Sequence, residues 1–240
     1  MLYFTGDIHG DVKSLLKRLD KCHIPHQKDK IIVLLGDVGI DYFNNHMDQE
    51  GKVLLQDSNR TYFCIHGNHE RRPVTIKSYH EDVWHGGAVY IEDKYSNLIF
   101  AQDGEVYDLE GLQTIVLGGA YSVDKWYRLA CGLHWFADEQ IPEQQRKNIL
   151  EKVKQLGKVD LVLSHTCPFQ WQPTDLFLSQ VDQSTVDNSM EHWLTEVEKN
   201  LNYRYWLFGH FHDDRKINNK VQMLFRNVID LEFLKSEVIL

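Results

Sequence analysis

"GDIHGD", residues Gly6 to Asp11, follows the first apolar run of the chain, Leu2 to Phe4, and places two carboxylates and an imidazole within five residues. Taken alone it reads as a surface turn. Its meaning comes from repetition: "LYFTGD" (2–7), "IIVLLGD" (31–37), "YFCIHGN" (62–68), "TIVLGGA" (114–120), "LVLSH" (161–165) and "YWLFGH" (205–210) are all short, β-branched or aromatic runs that break into a polar cluster. Continuous apolar runs of this length predict buried strands, and glycine after a strand releases the backbone into a tight turn.

Helical patterns lie between these runs. Val12, Leu15, Leu16 and Leu19 follow the i, i+3, i+4, i+7 rule behind Asp11, a residue suited to an N-cap. Ile149, Leu150, Val153 and Leu156 form a second apolar face ending at Gly157, and Met190, Trp193, Leu194, Val197 and Leu201 a third. Alternating strands and helices predict an α/β protein. From Val89 to Leu117 the pattern changes to short runs broken by Asp103-Gly104 and Glu110-Gly111, which predict hairpins. The stretch "VQMLFRNVIDLEFLKSEVIL" (221–240) predicts paired strands around an Asn-centred turn, and "SHTCPFQWQPTDLFLSQVDQSTVDNS" (164–189) a long excursion of the kind that forms lids or binding loops.

Composition narrows the function classes. The chain has 240 residues, 42% hydrophobic and 25% charged, and a formal net charge of −9. That charge argues against a general nucleic-acid surface, because such binding draws its energy from Lys and Arg on phosphates. Four separated cysteines, Cys22, Cys64, Cys131 and Cys167, signal neither a zinc ribbon nor a disulfide framework. The first residues leave no room for a charged and then apolar leader, and no apolar run approaches about 18 residues, so a cytoplasmic protein with no membrane association is expected. No linker, repeat or low-complexity segment interrupts residues 1–240, and a single domain is expected.

The turns carry the chemistry. After five of the predicted strands the chain continues with Asp7, Asp37, Asn68, His165 and His210, four of them directly behind a glycine. Parallel strands deliver their following loops to one rim of the sheet, where these groups converge. Carboxylates clustered without a cation repel one another, and a metal removes that cost. Carboxylate, amide and imidazole donors without cysteine point to a hydrolytic Mn, Fe or Zn site in place of structural zinc. Two ions about 3.5–4 Å apart lower the pKa of a shared water toward roughly 7, making hydroxide available as a nucleophile, and screen the charge of a phosphate ester.

Gly6-Asp7-x-His9-Gly10, Gly36-Asp37, Gly67-Asn68-His69-Glu70, the lone His165 and Gly209-His210-x-His212 resemble, in order and spacing, the calcineurin-like metallophosphoesterase family. The resemblance implies a four-layered α/β/β/α sandwich with two divalent metal ions, Mn first in expectation and Fe, Zn, Ni or Mg as alternatives. It implies Asp7, His9 and His212 as ligands of one metal, Asn68, His165 and His210 of the other, and Asp37 as the bridge. It implies His69 as the acid that protonates the leaving alkoxide, a role that suits a side chain titrating near neutrality.

The chain departs from the Ser/Thr protein phosphatase branch of that family. "GDVGIDYF" (36–43) lacks the branch's phosphate-clamping arginine and has Ile40 where an aspartate orients the catalytic histidine, so Asp41 is the candidate for that job. His66 stands where the branch has another arginine. Arg71 and Arg72, with Tyr121, Lys125 and Arg128 from "GGAYSVDKWYR" (118–128), are the candidate substrate-binding residues. The expected activity is hydrolysis of a phosphomonoester, whether phosphoprotein, nucleotide or small metabolite. The alternatives are a phosphodiesterase acting on a cyclic nucleotide or nucleic acid, and a catalytically silent metal-binding scaffold.

Overall fold

The computed structural model describes residues 1–236 and contains two sheets. One has seven strands in the order β13 (Ile229–Asp230), β1 (Leu2–Thr5), β2 (Ile31–Leu34), β3 (Thr61–Cys64), β6 (Leu98–Ala101), β5 (Gly87–Ile91) and β4 (His80–Trp84). The other has six, in the order β11 (Arg215–Lys216), β12 (Val221–Met223), β10 (Tyr205–Phe208), β9 (Leu161–Ser164), β8 (Leu112–Leu117) and β7 (Val106–Leu109). Pairing is parallel across β1-β2-β3-β6 and across β8-β9-β10-β12, and antiparallel at the edges.

The strands are apolar on both faces because both faces are covered, as parallel sheets require. Phe4, Val33, Phe63, Leu163 and Leu207 pack in one core between the sheets. Their neighbours Ile32, Leu34, Tyr62 and Cys64 turn outward with Val12, Leu15 and Leu19 of helix α1 (Val12–Lys21) and Leu55 of α2 (His46–Asp57). Val162, Trp206 and Phe208 turn the opposite way, onto Ile149 and Val153 of α4 (Glu143–Leu156), which follows the short α3 (Lys125–Ala130), and onto Trp193, Leu194 and Val197 of α5 (Ser189–Asn200). This alternation produces the four-layered α/β/β/α sandwich. The caps agree with the sequence: the Asp11 carboxylate accepts from Ser14 N at 3.1 Å, and Gly157 ends α4 with φ 63°.

Two local expectations are corrected. Glu110-Gly111 does close a hairpin, β7 to β8, with both residues at positive φ as a type I′ turn needs. Asp103-Gly104 does not, because β6 and β7 belong to different sheets and the turn carries the chain from one to the other. The C-terminal stretch contains β12 and β13, but these also lie in different sheets, and Leu231–Ser236 is a short helix, α6. The last four residues of that stretch fall outside the described residues. Among the described residues no helix is long and apolar enough to cross a membrane.

Candidate metal centre

Five parallel strands carry the candidate donors: β1 leads to Asp7 and His9, β2 to Asp37, β3 to Asn68 and His69, β9 to His165, and β10 to His210 and His212. Backbone hydrogen bonds stitch these turns together: Ile8 N and His9 N donate to Asp37 O, and Gly209 N donates to His165 O. The glycines make the packing possible. A Cβ on Gly36 would overlap His165 Nδ1, one on Gly67 would overlap Asp37 Oδ1, and one on Gly209 would overlap Asp7 Oδ1. The space ahead of one donor is thus filled by a donor from another strand. His9, Asp37, His210 and His212 all hold positive φ, between 46° and 68°. Such backbone costs on the order of 1–3 kcal/mol per residue and persists where the surroundings enforce it.

The donor atoms converge. His9 Nε2 and His212 Nε2 lie 2.8 Å apart, and Asp7 Oδ2 is 3.3 Å from His212 Nε2. That oxygen is buried and has no hydrogen-bond partner among the described residues. Asp37 Oδ1 is 3.5 Å from His165 Nε2, which is 2.9 Å from Asn68 Oδ1. His165 Nδ1 faces Leu35 O at 2.7 Å, which leaves Nε2 turned toward the carboxylates. Asp7, His9 and His212 form one group with ligand atoms within 4.8 Å of one another, and Asp7, Asp37 and His165 another. Oxygen and imidazole donors around an unpartnered buried carboxylate oxygen fit divalent cations.

Electrostatics favour a positive charge there. Burial opposes the His165 imidazolium, yet the adjoining Asp37 carboxylate raises its pKa to about 9. Asp37 in turn is held well below the carboxylate range despite its burial, chiefly by His165. His210, half-buried beside the His165 ring at 5.0 Å, is pushed down to about 3 by desolvation and by that neighbour. It therefore presents a neutral imidazole.

His69 sits at the rim. Its backbone N–H donates to Asp37 Oδ1 at 2.8 Å, and its ring Nε2 is 3.9 Å from Asp37 Oδ2. Burial, with Arg128 and His9 nearby, lowers its pKa, while Asp37 opposes the shift. Two clefts meet at this residue. One, of about 270 Å³, has Asp37, Asn68, His210 and His212 in its wall and also includes Tyr121. The other, of about 350 Å³, is lined by His9, Tyr42, Phe43 and Arg128.

Asp41 does not reach His69, a correction to the orienting role expected for it. Its Oδ1 accepts from Lys52 at 2.6 Å and its Oδ2 from the Tyr79 hydroxyl at 2.7 Å, and Lys52 also reaches Glu92 at 2.5 Å. A buried lysine captures the carboxylate, whose pKa burial raises to about 6 against the pull of that cation. Of the candidate substrate residues, the structure brings Tyr121 and Arg128 to the clefts. Arg128 is steadied by Asp124 at 2.8 Å and by the Tyr42 hydroxyl at 3.0 Å. Arg72 turns away, into an ion pair with Asp103 and a bond to Asp138 O. Arg71 lies over the Phe136 ring and Lys125 over the Trp135 ring. His66 is buried, with Nε2 3.2 Å from Glu70 O.

The sequence did not single out Ser122 or Glu139, which form a buried chain behind Asn68. Ser122 belongs to a quoted loop, but nothing marked Glu139. Glu70 is a clamp in the turn itself, accepting from Gly67 N and Gly39 N at 2.9 Å each.

A rim of carboxylate, amide and imidazole donors at the parallel strand ends of a four-layered sandwich defines a metal-dependent hydrolase. The chain belongs to the calcineurin-like phosphoesterase family, whose sequence model matches residues 2–214. Among solved structures, the crystal structure of TT1561 of Thermus thermophilus is similar, with a TM-score of 0.50 and 11% identity over 93% of this chain and 87% of that one. A likeness at that identity concerns the fold. A search of curated proteins finds no match. The family implies a dinuclear divalent site, in keeping with the donor groups described here.

Proposed function

We propose that the chain hydrolyses a phosphomonoester with two divalent ions, Mn in the first instance. Asp7, His9 and His212 would hold one ion, Asn68, His165 and His210 the other, and Asp37 would stand between them. The observation that carries this reading is the approach of His9 Nε2, His212 Nε2 and the unpartnered Asp7 Oδ2 beside the Asp37–His165–Asn68 group, with His69 at the rim. When bound, the ions supply an acidified water as nucleophile and counter-charge for the phosphoryl oxygens. His69 protonates the leaving oxygen, for which its place between the two clefts suits it. Arg128, held by Asp124 and the Tyr42 hydroxyl in the cleft it shares with His9 and His69, supplies N–H donors for the phosphate.

Two clefts that meet at His69 favour one second reading, a phosphodiester with a substituent in each cleft. Metal-free protein reconstituted with Mn should hydrolyse p-nitrophenyl phosphate faster than bis(p-nitrophenyl) phosphate, and a chelator or Asp37→Ala should abolish the rate. A faster diester reaction would reverse the order of the two readings. Stoichiometric metal without turnover under Mn, Fe, Zn, Ni or Mg would leave a metal-binding scaffold.

A further inference from the structure

The cleft next to His210 is built by two segments that the chemistry above leaves unused: the excursion between His165 and α5, and the turn around Tyr121. Its outer wall is formed by Tyr121, Leu176, Phe177, Val181 and Val186. These side chains are intermediate or exposed, so they face the opening and not the interior. The inner wall is Asp37, Asn68, His69, His210 and His212. An apolar opening continuous with a reacting centre is a place for part of a substrate.

The charges limit what that part can be. Among the described residues no Lys or Arg lines this cleft, while Asp124, Asp187 and Glu191 do. Asp124 is neutralised by Arg128, Glu191 accepts from the Thr166 hydroxyl at 2.8 Å, and Asp187 accepts from Ser189 N at 2.9 Å. The wall thus offers an additional phosphate or carboxylate no counter-charge, and its own acids, already partnered, do not demand a cation. Its volume of about 270 Å³, shared with the space in front of the inner-wall donors, lies just below the roughly 300–1,000 Å³ of drug-sized ligand sites and suits one or two rings. Arg128 lines the other cleft that meets His69, beside His9 and Tyr42.

We propose that this cleft is the leaving-group subsite, and that the substrate is a phosphoester of an uncharged alcohol carrying an apolar ring. The proposal rests on the phosphoesterase reading and specifies its substrate class. The leaving group lies along Phe177 and Val181, and its ester oxygen comes to His69.

The test compares primary-alcohol esters, so that leaving-group acidity stays nearly constant. With the Mn-reconstituted enzyme, kcat/KM for 2-(1-naphthyl)ethyl phosphate should exceed that for ethyl phosphate and for glucose 6-phosphate by roughly 10–100-fold, the scale on which apolar pockets discriminate. Phe177→Ala and, separately, Val181→Asp should shrink that ratio. Calorimetric binding of the non-hydrolysable (1-naphthylmethyl)phosphonate against methylphosphonate gives a readout independent of turnover. Turnover without a preference for the ring, or equal binding of the two phosphonates, overturns the subsite and leaves the phosphoesterase reading standing. Selective phosphonate binding that both variants weaken, in a protein that turns over no ester, supports the subsite and sinks the activity.

Discussion

Asn68 Nδ2 donates to Ser122 Oγ at 2.9 Å, and the Ser122 hydroxyl donates in turn to Glu139 Oε2 at 2.5 Å. Trp135 Nε1 holds the same Glu139 oxygen at 2.9 Å. Because the serine hydroxyl spends its hydrogen on Glu139, only its lone pairs face Asn68, and the amide must turn its N–H outward and its Oδ1 toward His165. Ser122→Ala frees the amide to rotate. Manganese titrated calorimetrically into the metal-free variant should bind one of its two sites about 10–100-fold more weakly, the usual effect of losing a group that orients a ligand. Unaltered affinity at both sites would remove Ser122 from this role.

His69→Ala should keep its metal content, since the proposed ligands are other residues. Its turnover of alkyl phosphates should fall by roughly 10²–10⁴-fold, the usual scale of general acid help. The loss with p-nitrophenyl phosphate should be much smaller, because that leaving group needs little protonation. Equal losses on both substrates would show that His69 acts in some other way.

Asp41→Asn separates structure from catalysis. The substitution leaves Lys52, a buried cation, with Glu92 alone. Breaking a buried pair costs on the order of 3 kcal/mol. Urea unfolding should report that loss, while the pH profile of kcat stays where it was in the wild type. A displaced profile with unchanged stability would restore Asp41 as the partner of His69.

These cases show which features were legible. The six glycine-ended or polar-ended runs became β1, β2, β3, β8, β9 and β10, because a strand covered on both faces must be apolar throughout. Asp11 and Gly157 announced helix ends, because caps are local chemistry. β4 was invisible: "HEDVW" is an edge strand, mostly exposed, with no apolar alternation to mark it. The turn at Asp103-Gly104 has hairpin chemistry, but only the competition between two sheets decides that β7 leaves the sheet of β6. At the site, the donors follow strand ends and so could be found by position. The partners of Asp41 and Arg72 lie 11 and 31 residues away, and neither separation has a pattern that sequence spacing can reveal.

Glu191 supplies a pH dependence. Its carboxyl lies in the first turn of α5, and burial lifts its pKa to about 7 although the Thr166 hydroxyl bond pulls it down. The ordinary value for the unfolded chain is about 4.5. Between those two values the folded protein binds more protons at this site than the unfolded chain, so its contribution to stability is fully present below about 4.5 and declines as pH rises toward about 7. At about 1.4 kcal/mol per pKa unit the decline is on the order of 3 kcal/mol. Glu191→Gln cannot ionise and should flatten that part of the profile. Urea midpoints at about pH 5 and about pH 8 measure it: the wild type should lose stability between the two values by more than the variant does. Parallel losses in the two proteins would mean that Glu191 stays ionised in the fold, with its second oxygen satisfied by the N–H groups at the start of the helix.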